Sequence, residues 1–232
     1  MDVLVRDLYL NKIKAFIDKD LIKVLIGQRR VGKSFFLLQI MDYLEKEFKH
    51  TSIIYINKED LKYDSIKDYK DLTEYAQSQK SNNKKHALFV DEVQDIEHFE
   101  KALRHLAATG DWDIYITGSN ADLLSGELAT YLSGRYIEIK IFPLSFNEFI
   151  QFHRLDNSQQ TFNKFMKFGG LPYLRNLPLE DQVVFDYLKN IFTTILYRDI
   201  IARYNPRNTA FLERLCRYIA DNIGNLVSAK KI

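Results

Sequence analysis

The stretch LIKVLIGQRRVGKS, Leu21 to Ser34, decides how the rest of the chain is read. Its first six residues are a short, apolar, branched run that stops at Gly27, as a strand buried on both faces does. Its last eight fit the spacing GxxxxGK(S/T). From Lys33 the apolar residues Phe36, Leu37, Ile40, Tyr43, Leu44 and Phe48 recur at helical period. A glycine-bearing turn between a strand and a helix lets successive backbone N–H groups face one point, and the helix N-terminus adds its dipole there. Phosphate oxygens are what such a turn holds. Lys33 is expected to reach the outer phosphates and the Ser34 hydroxyl to ligate Mg²⁺.

Four more strand-like runs follow: Ser52–Ile56 (SIIYI), Ala87–Val90 (ALFV), Trp112–Thr117 (WDIYIT) and Arg135–Phe142 (RYIEIKIF). The last alternates, with Ile137, Ile139 and Ile141 on one face and Glu138 and Lys140 on the other, which predicts a sheet edge. Helical periods precede and separate the strands over Arg6–Asp18, Lys33–Phe48, Asp64–Lys80, Ile96–Ala108 and Ala121–Leu132. Strands alternating with helices predict a parallel sheet wrapped by helices, an α/β fold. After Pro143 the strands stop. Ser145 and Glu148 have capping-box spacing and open a helix. Further helices are expected over Ser158–Phe168, ended by Gly169-Gly170, then from Glu180 to Tyr204 and from Asn208 to Asn222.

Composition narrows the function classes. Of 232 residues, 46% are apolar and 13% aromatic, so the chain is not a disordered one. Lys and Arg total 33 against 31 Asp and Glu, a net charge of +2, so charge gives no sign of a polyanion-binding surface. The single Cys216 excludes a disulfide framework and a cysteine-rich zinc site. There is no basic-then-apolar leader and no apolar run near 18 residues, so a soluble, cytoplasmic protein without membrane attachment is expected. The five histidines show no metal-site spacing.

Three other motifs bear on chemistry. Leu88-Phe89-Val90-Asp91-Glu92 delivers two carboxylates at a strand's C-terminal end, where α/β sheets bind ligands. Asp91 suits a metal ion and Glu92 the orientation of an attacking water. Lys33 and Asp91 stand 58 positions apart, room for the intervening elements. Next, Thr117-Gly118-Ser119-Asn120 offers Asn120, and behind it Ser119, as a reporter of the γ-phosphate. The same position is an ordinary N-cap for the helix from Ala121, and the two roles are compatible. Lastly, Arg135 before the fifth strand is either a solvated charge or, in an assembly, a group reaching a neighbouring copy's γ-phosphate.

The segments GQRRVGKS, LFVDEVQ, ITGSN, SGRYIEIKIFPLSFNEF and GGLP, spread over Gly27 to Pro172, resemble the AAA+ ATPases. The likeness is to the prokaryotic branch related to origin-recognition and signal-transducing (STAND-like) ATPases, and Arg6–Lys12 resembles the helix that precedes the first strand there. The resemblance implies a three-layer P-loop NTPase core, a five-stranded parallel sheet in the order 5-1-4-3-2, and an all-helical lid. Walker A falls on Gly27–Ser34, Walker B on Asp91 and Glu92, sensor 1 on Ser119 or Asn120, and an arginine finger on Arg135. Pro172 matches a lid proline that leans on adenine, and Arg175 and Arg198 are the candidates for a second sensor. The candidate nucleotide-binding set is Gly27, Gln28, Arg29, Arg30, Val31, Gly32, Lys33, Ser34, Phe35, Ser119 and Pro172. Glu92, Lys33, Asn120 and Arg135 are the candidate catalytic residues, and Ser34 and Asp91 the metal ligands.

Three parts are expected: a core over 1–143, a lid over 144–204, and 205–232 as a helix and the start of a winged-helix-like region. Val227–Ile232 resembles the opening of such a region cut short, so a piece of a longer protein is expected. The function implied is a Mg²⁺-dependent ATPase, cofactors ATP/ADP and Mg²⁺, that switches conformation for a DNA or protein partner, with homo-oligomers possible in the family. A nucleotide switch that hardly turns over is the alternative, against which Glu92 speaks. A small-molecule kinase is a third, which would need an acceptor pocket.

Overall fold

The computed structural model describes residues 5–48, 51–81, 85–118, 132, 134–197 and 209–225. Strands β1 (Ile22–Ile26), β2 (Thr51–Asn57), β3 (Lys85–Asp91), β4 (Trp112–Thr117) and β5 (Tyr136–Lys140) form one parallel sheet. Its order is β2-β3-β4-β1-β5, the expected order read from the other edge. Position in the sheet follows from pattern. β1 is buried at every residue and lies inside; β5 exposes Glu138 and Lys140, buries Ile139, and forms an edge.

The sheet is covered on both faces. Ile22, Val24, Ile26, Leu88, Val90, Ile114 and Ile116 pack in one cluster with Leu72 and Ala76 of α3 (Tyr69–Ser78) and Leu103 and Leu106 of α4 (Phe99–Ala108). The alternate strand residues, among them Leu25, Phe89 and Tyr115, point the other way. Phe89 and Tyr115 stack there with ring centroids 4.5 Å apart. α1 (Asp7–Lys14) and α2 (Lys33–Glu47) bury Ile13, Phe36, Leu37 and Ile40, and Tyr9 of α1 meets Phe36 edge-on at 5.8 Å.

Two helices start later than periodicity predicts. α3 begins after Asp68, whose carboxylate caps it while Asp71 accepts the Asp68 N–H in return; a 3-10 turn over Leu61–Tyr63 takes up the residues before. α4 waits until Phe99 because His98 holds a left-handed backbone, at φ 53°, which a right-handed helix does not pass through.

The chain divides into two compact units, residues 1–180 and 181–232. The first therefore includes the sheet together with α5 (Phe146–His153) and α6 (Gln159–Phe168). The Ser145–Glu148 capping box is present in both directions, and Ser158 caps α6. Phe146 meets Phe162 and Phe149 meets Phe165, at 5.2 and 5.3 Å between ring centroids, so aromatic pairs join α5 to α6. A 3-10 turn over Pro172–Asn176 follows. The second unit holds α7 (Asp181–Ile195) and α8 (Thr209–Asp221), in which Cys216 is half-buried. The helix expected over Ala121–Leu132, Leu132 excepted, lies outside the described residues, as do Arg198 and Val227–Ile232. Among the described residues no helix is long and apolar enough to cross a membrane.

Candidate functional site

The loop after β1 is shaped by two left-handed residues, Arg30 at φ 64° and Gly32 at φ 94°. Gly27 opens it under a separate constraint. A Cβ there would lie 2.3 Å from the Ile141 carbonyl oxygen, so the chain leaving β5 occupies the space of a side chain. Lys33 is buried at the start of α2, and its ammonium donates to the carbonyl oxygens of Gly27 at 3.0 Å and Gln28 at 3.2 Å. The lysine is thereby folded back along the loop it closes. Val31 is buried, Arg29, Gly32 and Ser34 are half-buried, and Gln28, Arg30 and Phe35 are exposed.

Two strands away, Asp91 ends β3 and is buried. The Thr117 hydroxyl, from the end of β4, donates to Asp91 Oδ1, and the Tyr55 hydroxyl, from β2, donates to Oδ2 at 3.3 Å. Burial first, then the charge and hydrogen bond of Asp91, pushes the Tyr55 phenol well above its ordinary pKa, so it stays a donor. Glu92 turns into the left-handed region, where its N–H donates to Thr117 Oγ1 at 3.0 Å. Its carboxylate accepts from Gln94 Nε2 at 2.6 Å. Thr117 thus fixes both acidic residues at once. In strand order the ends of β3, β4 and β1 are consecutive, so these carboxylates and the loop share the C-terminal edge of one sheet.

The segment after β5 joins this edge. A Cβ on Gly170 would lie 2.3 Å from the Leu144 carbonyl oxygen, and the Leu144 N–H donates to the Gly170 carbonyl at 2.7 Å. With GGLP anchored there, the Pro172 ring comes to 3.8 Å from where a Cβ on Gly32 would stand. Partial burial works against a charged Glu148, but hydrogen bonds from Arg6 and from Ser145 outweigh it and hold its pKa below the usual value. His153 of α5 is pushed down to about 4, by burial and then by the charge of Arg175.

The structure thus brings Gly27–Ser34, Asp91, Glu92 and Pro172 to one end of the sheet. Arg135 is not among them: it is exposed at the N-terminal end of β5, where its carbonyl accepts from the Ile22 N–H at 2.9 Å. That end is five residues, or about 16 Å of strand, from the loop. Ser119 and Asn120 lie outside the described residues.

Sequence reading passed over Thr117, Tyr55 and Arg6. Thr117 stood inside the quoted TGSN motif, and a polar residue closing an apolar strand beside the one that ends in Asp91 was its only signal. Tyr55 reads as one more apolar residue in SIIYI, and Arg6 as the first residue of a helical stretch.

The residues present suit a nucleotide with Mg²⁺. Among the described residues no cluster of three or more His, Cys, Asp or Glu is placed to hold a metal unaided. A buried carboxylate held by neutral hydroxyls, at the same sheet edge as the Gly27–Ser34 loop, matches an ion that takes few protein ligands and completes its shell with phosphate and water.

A family model described as "AAA domain" matches residues 19–150, more than half of the chain. The chain belongs to the AAA domain family. A second model, a domain of unknown function (DUF8612), matches residues 159–232. Among curated relatives of this AAA-domain chain, an uncharacterized protein of Haemophilus influenzae is 39% identical over 98% of the chain and 58% of its own length. An uncharacterized protein of Methanocaldococcus jannaschii is 35% identical over 91% of the chain and 49% of its own length. The chain spans about half the length of these relatives. Among solved structures, Aeropyrum pernix ORC1 in complex with DNA matches with a TM-score of 0.51 at 10% identity, over 87% of the chain and 69% of that protein. Saccharomyces cerevisiae Hsp104 in its casein complex also scores 0.51, at 12% identity, over 85% of the chain and 39% of that protein. Those likenesses concern the fold: the AAA-domain chain has the α/β architecture of P-loop NTPases.

Proposed function

We propose that this AAA-domain chain binds ATP with Mg²⁺, hydrolyses it, and uses nucleotide state to change conformation for a DNA or protein partner. The observation that carries the reading is the convergence on one sheet edge of the Gly27–Ser34 loop, buried Lys33, and Asp91 and Glu92 fixed by Thr117. The loop N–H groups hold phosphate oxygens, and Lys33 exchanges its carbonyl partners for phosphate. Ser34 and Asp91 hold the metal, whose chemistry when bound is to neutralise charge developing on the phosphoryl oxygens. Glu92 orients the attacking water and takes its proton at a carboxylate oxygen. Phe35 and Pro172 border the base, and Asn120 with Ser119 reports the γ-phosphate. Arg135, at the far end of the sheet, acts on a nucleotide held by a neighbouring copy.

The functional division is a core over 1–143, a lid over 144–204 and a winged-helix-like start over 205–232, in the origin-recognition and STAND-like branch. The presence of DNA with ORC1 and casein with Hsp104 supports the partner classes. A second reading, a switch that binds ATP and scarcely turns it over, is favoured by one contact. The amide of Gln94 donates to Glu92 Oε2 at 2.6 Å and so occupies an oxygen that would otherwise accept from the attacking water.

Phosphate release from Mg·ATP, measured beside ATP affinity, separates the two. Under the first reading Glu92→Gln keeps ATP affinity while turnover falls about 10²–10⁴-fold, and Lys33→Ala loses affinity. Tight ATP binding without turnover in the unaltered chain supports the switch. Absence of ATP binding overturns both.

A further inference from the structure

Arg6 stands one residue before α1 and is 4% exposed, yet its partners come from four distant stretches. Nε and Nη2 hold the two carboxylate oxygens of Glu148 at 2.8 and 3.0 Å, a fork-to-fork pair. Nη1 donates to the carbonyls of Phe142 at 3.0 Å and Val31 at 3.4 Å, and Nη2 to that of Pro143 at 3.5 Å. The backbone N–H of Arg6 donates to Gln39 Oε1 of α2 at 3.0 Å. Its guanidinium lies 4.5 Å from the ring centroid of Tyr9, and the Tyr9 hydroxyl in turn accepts from the Phe142 N–H at 3.0 Å.

Fold stability alone would be served by the pair with Glu148. The contact with Val31 has a different consequence. Val31 precedes Gly32 inside the loop, and in a planar trans peptide the C=O and the next N–H point opposite ways. A Val31 carbonyl turned to Arg6 therefore turns the Gly32 N–H away from Arg6 and its positive charge. The same guanidinium grips the two carbonyls where the chain leaves β5 and the first turn of α5.

We infer that Arg6 is a positioning residue for the phosphate loop. It sets the peptide between Val31 and Gly32 for an anionic ligand and ties that peptide to Phe142, Pro143 and Glu148. Ligand binding at the loop and the conformation of the segment entering α5 then form one coupled equilibrium. This rests on the ATP-binding reading above. Coupling is reciprocal, so weakening the grip on Glu148 must weaken ATP binding by the factor that ATP strengthens the grip.

The test uses the full chain, with Arg6→Lys and Glu148→Gln variants and Lys33→Ala as control. Mg·ATP affinity is read by calorimetry, thermal unfolding is followed in parallel, and amide hydrogen exchange is followed at Phe142 and Leu144 with and without ATP. ATP should slow exchange at both amides in the unaltered chain. Both variants should lose that ATP-dependent slowing and bind ATP about 5–150-fold more weakly, the range of ordinary coupling energies. A purely structural Arg6 would instead raise exchange equally with and without ATP and leave affinity unchanged in folded protein; that result overturns the inference. Glu148→Gln touches no loop residue, so it decides the matter even if Arg6→Lys does not fold. If the unaltered chain gives no binding heat and matches Lys33→Ala, the ATP-binding reading itself falls and the inference with it.

Discussion

Asp91 and Asp113 sit on adjacent strands, at opposite ends of the sheet, and are held in opposite ways. Asp113, near the start of β4, accepts from the ammonium of Lys23, from the Tyr115 hydroxyl at 2.7 Å and from the Asp18 N–H at 3.0 Å. Lys23 itself is fully buried; burial lowers its pKa in spite of the neighbouring aspartates, so it depends on that counter-charge. The Asp91 carboxylate accepts, among the described residues, from the hydroxyls of Thr117 and Tyr55 and makes no ion pair. A carboxylate matched by a lysine is spent on the fold. A carboxylate oriented by neutral donors is not matched by a charge of the fold, which is the arrangement the proposed metal ligand calls for.

Removing charge at the two positions should separate them most. Asp113→Asn leaves a buried lysine without its counter-ion and should lower stability by about 3–5 kcal/mol in urea unfolding. A loss within 1 kcal/mol (about experimental scatter) would erase the contrast. Thr117→Val removes the donor to Asp91 and the acceptor for the Glu92 N–H together, at about 1–3 kcal/mol. It should weaken Mg·ATP binding more than metal-free ATP binding. Asp91→Asn should leave stability within about 1 kcal/mol of the unaltered chain, or raise it, because functional charge is held at a cost to the fold. Its effect should appear as loss of the Mg²⁺ dependence of ATP binding. Equal destabilisation by Asp91→Asn and Asp113→Asn would assign Asp91 a structural role.

An effect confined to acid pH lies in α5. The His153 Nε2 is buried without a hydrogen-bond partner among the described residues, and its pKa is lowered to about 4 from 6.5. The unfolded chain therefore takes up a proton in that window before the folded one does. The stability due to neutral His153 is full above pH 6.5 and is lost as pH falls toward 4. His153→Phe should flatten the pH dependence of the melting temperature in that range, whereas Asp91→Asn should leave it in place.

The phosphate loop, five strands and the α5 capping box were all legible, since each is written in residues within a few positions of one another. Strand and helix type follow from period, and the loop from a glycine and a lysine at fixed spacing. Helix starts were legible only in part: nothing local marks His98 as left-handed, and it displaced the start of α4.

What the sequence by itself determined is thus the local chemistry: a phosphate-shaped turn between a strand and a helix, and two carboxylates at a later strand's end. Tertiary structure alone decided which donors hold those carboxylates, that Arg135 stands apart from them, and that Arg6 binds Glu148, 142 positions away. The reason is physical. Periodicity records which face a residue presents, whereas a buried charge takes its partners from whatever strands the sheet places beside it, and sequence distance carries no trace of that choice.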